Sequence, residues 1–74
     1  MPRLNCTYRE FIEILLAHGF QEVRQKGSHC QYQGTVAGEI KLVTVSTADG
    51  TNIGLTVLQS MIRQSGLSRK LFLK

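Results

Sequence analysis

The spacing of apolar residues changes after Gly19, and that change confines the chain to few architectures. Before it, Tyr8, Phe11, Ile12 and Leu15 recur at helical spacing, while Arg9, Glu10 and Glu13 are placed to face water. Thr7 stands where it can cap the first turn, with Glu10 three residues on to complete a capping box and Cys6 and Phe11 placed as a hydrophobic staple. Gly19 suits a left-handed cap, after which Phe20 can return to Leu15. Beyond Phe20 the period drops to two. "QEVRQ" and "HCQYQ" alternate around "KGS", which predicts two antiparallel strands joined by a tight turn, with Gly27 supplying a positive φ.

The remaining segments follow the same logic. "GTVAG" is expected to connect to a third strand, "EIKLVTVS", rich in Val, Ile and Thr. The alternation breaks at Leu42-Val43, which predicts either a bulge or burial on both faces. "TADGTNIG" reads as a loop, with Asp49-Gly50 as its turn signal. A second helix should bury Leu55, Leu58, Met61 and Ile62 and end at Gly66, with Leu67 folding back toward Ile62. The expected fold is α+β, ordered α-β-β-β-α: a three-stranded antiparallel sheet with two helices on one face and the other face open. That is the shape of a double-stranded-RNA-binding domain. Residues 1–74 should form a single domain, with 68–74, "SRKLFLK", as a loosely ordered basic tail.

A chain of 74 residues makes a small core, so any site must lie in a shallow surface groove. Nine Lys and Arg against five Asp and Glu leave a formal charge of +4, which favours a polyanion as partner, RNA or DNA first. The start, "MPRLNCTYRE", lacks the apolar run of a signal peptide, and no stretch approaches the ~20 apolar residues of a membrane span. A cytoplasmic protein with no membrane partner is expected, with Cys6 and Cys30 both reduced. Neither cysteine belongs to a CxxC pair or a Cys/His cluster, so no metal and no cofactor is expected.

One stretch exceeds what a hairpin needs. In "VRQKGSHCQY" a histidine, His29, directly follows Lys26-Gly27-Ser28. "HGFQEVRQKGSHCQY", a following β strand and "VLQSMIRQSGL" together resemble the HicA family of toxins from bacterial toxin–antitoxin pairs, from about Phe11 to Leu67. The resemblance implies an mRNA interferase, a small ribonuclease with a double-stranded-RNA-binding-like fold and a catalytic histidine in its Gly-Ser-His motif. It also implies a HicB-type antitoxin that binds and neutralises the toxin. By that match His29 is the catalytic residue. The sequence departs from the family pattern at Cys30, where many members carry a second histidine. It departs again at "STADGTN", where many carry His-Pro and a lysine.

The residue types suit that chemistry. RNA is cut without a metal when its own 2′-hydroxyl attacks the adjacent phosphorus, a step that wants proton transfer and a cation on the charged phosphorane. A histidine serves either proton role near neutral pH. Arg24 and Lys26 supply positive charge, and the backbone N–H groups of Gly27 and Ser28 are candidates for an anion-holding turn. In a straight strand His29 and Gln31 share one face, here the open one, and Cys30 and Tyr32 the other. His29, Arg24, Lys26, Gly27, Ser28 and Gln31 are therefore the candidate RNA site. On residue chemistry alone His29 reads more readily as an ordinary exposed strand residue than as a catalytic one, and His18, in the last helical turn, reads as structural.

Two other functions fit the same residues. One is an inactive relative serving as an RNA-binding module. Against it, the second helix opens "NIGLTVLQ" without the basic residues that duplex RNA binders use, and Tyr32 is the sole strand aromatic for stacking. The other is a protein-interaction subunit that uses its open sheet face or a strand edge.

Overall fold

A computed structural model describes residues 3–46 and 51–73. Its elements run α1 (Tyr8–Ala17), β1 (Gln21–Lys26), β2 (His29–Val36), β3 (Glu39–Ser46) and α2 (Leu55–Ser65), followed by a 3-10 turn over Arg69–Phe72. The strands form one antiparallel sheet in the order β1-β2-β3. This is the α-β-β-β-α fold expected from the apolar spacing. The predicted Asp49-Gly50 turn lies outside the described residues.

The entry to α1 forms as its residue types dictate. Thr7 Oγ1 accepts from the Glu10 N–H at 3.1 Å, and the Glu10 carboxylate accepts from the Thr7 N–H at 2.9 Å. Phe11 and Leu15 then point into the core, and the chain leaves through Gly19 at φ 86°. The Phe20 N–H returns to the Leu15 carbonyl at 2.9 Å, which starts β1 beneath the helix end.

One core holds the layers together. Phe11 and Leu15 of α1 and Leu58, Met61 and Ile62 of α2 meet Cys30, Tyr32, Val43 and Val45 from one face of the sheet. Gly34, also on that face, lies against Phe20: a Cβ there would sit 2.7 Å from the Phe20 ring. The glycine leaves the room that the aromatic ring fills.

Several expectations are corrected. Gly34, Thr35 and Val36 belong to β2, and the β2–β3 connection is only Ala37-Gly38. Both residues have positive φ, 52° and 81°, the pattern of a type I′ turn that matches the twist of the flanking strands. The β2–β3 pairing is unbroken, so β3 carries no bulge, and Leu42 is exposed on the open face while Val43 is buried. The bulge falls instead in β1, between Glu22 and Arg24. Leu55 is 57% exposed, because Ile53, 5% exposed, fills the core where the chain enters α2. Beyond α2, Arg69–Phe72 form the 3-10 turn. Phe72 is buried and stacks on Phe11 with ring centroids 4.9 Å apart, while Leu73 bridges Leu4. An aromatic residue amid the cations anchors the segment.

Candidate functional site

The β1–β2 turn is two residues long, because Lys26 and His29 are paired directly across it. Gly27 has φ 60° and Ser28 is not among the residues with positive φ, the sign pattern of a type II′ turn. This turn starts β2 at His29, and the period of two does the rest. His29 and Gln31 fall on the open face, and Cys30 and Tyr32 are buried beneath.

Pairing across the sheet assembles the neighbours. Lys26 stands beside His29, and Arg24 beside Gln31; on the other side Thr44 faces Gln31 and Ser46 faces His29. Arg24, Lys26, His29, Gln31 and Thr44 together line a shallow groove of about 360 Å³. Four of the six expected site residues therefore share one groove. Gly27 and Ser28 form the exposed turn at its end and are not part of its lining.

The bulge in β1 controls the charge of this groove. Regular alternation would put Glu22 on the same face as Arg24 and Lys26. The extra residue, Val23, turns Glu22 to the opposite face, across from Tyr32. There its carboxylate acts on the Cys30 thiol. Burial pushes the Cys30 thiol above its ordinary range, and the Glu22 hydrogen bond and charge raise it further. Tyr32 is raised too, first by burial and then by the charges of Cys30 and Glu22. Among the described residues no carboxylate lines the groove, which keeps two cations beside one histidine. Among the described residues no three His, Cys, Asp or Glu side chains gather as a metal-binding group.

Thr44 is the groove residue that sequence reasoning missed. With "GTVAG" as a five-residue connection, Gln33 would pair with Glu39 and Gln31 with Lys41. The two-residue turn sets Gln31 against Thr44 instead. The signal was present in Ala37-Gly38, a small residue and a glycine where a type I′ turn needs two positive φ values.

A family model for the HicA toxin of bacterial toxin–antitoxin systems matches residues 8–67. The chain belongs to the HicA toxin family. No curated protein and no solved structure matches it. Membership makes it the toxin half of a toxin–antitoxin pair, with an antitoxin as partner. Among the described residues, no helix is long and apolar enough to cross a membrane. Within this HicA fold, Cys30, directly after Gly27-Ser28-His29, is 3% exposed and faces the helices. It therefore belongs to the core and not to the groove's lining. His18 plays the local part expected of it, its Nδ1 lying 2.8 Å from the Ile14 carbonyl at the end of α1.

Proposed function

We propose that this HicA toxin is an endoribonuclease that cuts single-stranded mRNA in the groove of Arg24, Lys26, His29, Gln31 and Thr44. The observation that carries the reading is the clustering of one exposed histidine with two cations and, among the described residues, no carboxylate. Phosphate needs the cations, and transesterification needs a group that moves a proton near neutral pH.

In this mechanism the RNA phosphate rests against Arg24 and Lys26, which offset the charge that grows on its oxygens. His29 takes the proton of the 2′-hydroxyl as that oxygen bonds to phosphorus. The bond from phosphorus to the 5′-oxygen breaks, and the leaving oxygen takes a proton from water in the open groove. The products are a 2′,3′-cyclic phosphate and a 5′-hydroxyl. Gln31 and Thr44 hydrogen-bond the sugar–phosphate backbone, and the N–H groups of Gly27 and Ser28 add donors at the rim. No step needs a divalent ion, since the groove presents cations to the phosphate directly. The site of action is the cytoplasm, where mRNA is found.

A shallow groove is blocked best by a protein that covers it. The antitoxin, of HicB type, is proposed to mask the open face through a net acidic surface that complements Arg24 and Lys26.

The test is cleavage of a labelled RNA by the purified toxin in excess EDTA. Cutting should persist and leave cyclic or 3′-phosphate ends, and added antitoxin should stop it. Loss of cleavage in EDTA, or 3′-hydroxyl ends, overturns the mechanism. Tight RNA binding without any cleavage would instead favour the inactive, RNA-binding relative.

A further inference from the structure

His29 and Thr44 line a second groove as well as the cationic one. This groove, about 430 Å³, runs between the end of β3 and α2. Thr56, Ser60 and Gln64 of α2, Ser46 of β3 and Tyr8 of α1 bring hydroxyl and amide groups to it, while Val57 and Met61 give it an apolar wall. Among the described residues, no Lys, Arg, Asp or Glu lines it. The histidine thus stands at the junction of two troughs with opposite chemistry.

We propose that the α2–β3 groove holds the nucleobase of the nucleotide next to the scissile phosphate, with Gln64 and Ser60 reading its edge. The proposal rests on the ribonuclease reading and adds where its substrate's base goes. A phosphate gains little from neutral hydroxyls beside an apolar wall. A base fits both, because it has a flat apolar face and a rim of donors and acceptors. The Gln64 amide offers a donor and an acceptor together, which is what a base edge requires. A volume near 430 Å³ falls in the range of small-molecule sites. Continuity decides between a base and an unrelated ligand. A strand whose phosphate sits between Lys26 and His29 must continue past His29, and the groove that opens there is this one. The cationic trough then supplies affinity for any RNA, and the neutral trough supplies preference among bases.

The experiment uses the His29→Ala chain, so that RNA survives, and two labelled single-stranded probes of equal length. One is an ordinary mixed-sequence RNA; the other carries abasic sites on the same sugar–phosphate backbone. Fluorescence anisotropy should show the intact RNA bound about tenfold more tightly, the scale of one base contact. Adding Gln64→Ala or Ser60→Ala should bring the two affinities together while leaving the abasic probe within about twofold. Arg24→Ala should weaken both probes alike. Equal binding of the two probes, or equal losses on both from the α2 variants, overturns the proposal. Base-dependent binding by a chain that never cuts RNA would keep the groove and reject the ribonuclease reading. No binding of either probe would reject both.

Discussion

The two faces of β2 come from one run of eight residues, His29–Val36, yet they are governed by different forces. On the inner face Cys30, Tyr32 and Gly34 are buried among Phe20, Val43, Val45 and the helices. There a change of one methyl group is felt, because the interior is close-packed. On the outer face His29 and Gln31 touch little beyond their strand neighbours, so nothing in packing dictates their identity. The lesson is that an outer-face residue is free to serve chemistry. Its role has to be sought in what surrounds it, here Lys26, Arg24 and Thr44.

The comparison predicts that outer-face and inner-face substitutions fail in separate ways. His29→Ala should reduce RNA cleavage by about a hundredfold or more, the scale of general acid–base catalysis, and leave thermal unfolding within about 0.5 kcal/mol of the parent. A loss of activity matched by a loss of stability would merge the two faces and defeat the distinction.

Gly34→Ala is the opposite experiment. The added methyl would meet the Phe20 ring at 2.7 Å, and Phe20, 1% exposed, has nowhere to move. Overpacking of this kind costs about 1–3 kcal/mol. Denaturant unfolding should register that loss, while cleavage per folded molecule stays close to the parent's. Truncating the ring as well, in a Gly34→Ala, Phe20→Leu pair, should recover part of the cost; no recovery would place the damage elsewhere.

A smaller effect separates two lysines. Lys26 lines the cationic groove beside His29. Lys41 pairs with Gly34 on the inner face, lies against Gly66 and contacts Glu39 at 3.2 Å. Lys26→Ala should weaken RNA binding about three- to tenfold, the worth of one phosphate contact, and Lys41→Ala less than twofold. Equal losses in a salt titration of both variants would mean that RNA senses only the overall +4 charge.

How much of this could be read from the chain depends on the range of the interactions involved. The Thr7–Glu10 capping box and the Gly19 and Gly66 ends are local, so four residues suffice to recognise each. The split between His29 and Cys30 follows from a period of two and needs no partner strand. The bulge at Val23 is different. It depends on Glu22 finding Cys30 and Tyr32 across the sheet, and "QEVRQK" alone looks regular. The same holds for Thr44 and for the α2 groove, where Gln64 and His29 come to line one trough only once the fold is assembled and the register of β2 with β3 is set by Ala37-Gly38. Residues brought together by register are the ones that inspection of segments misses.

The inner face also carries a titration that the outer face should not feel. The Cys30 thiol and Tyr32 hydroxyl both hold their protons to higher pH in the fold than in the open chain, chiefly through burial. Once pH passes the ordinary thiol value of about 8.5, the unfolded chain sheds the Cys30 proton while the folded chain keeps it. The native state then binds more protons, so stability falls as pH rises, by less than about 1.4 kcal/mol per pH unit for one such group. Below pH 8 the contribution is fully present and the curve should be flat in this respect. Denaturant midpoints of the parent and Cys30→Val between pH 7.5 and 9.5 isolate the thiol. The parent should lose more stability across that range, and thiol reagents should reach Cys30 only as the chain unfolds. Identical slopes for the two chains would show that Glu22 and burial do not hold the Cys30 proton, and the thiol would drop out as a titrating link between the inner face and the strand that carries Arg24 and Lys26.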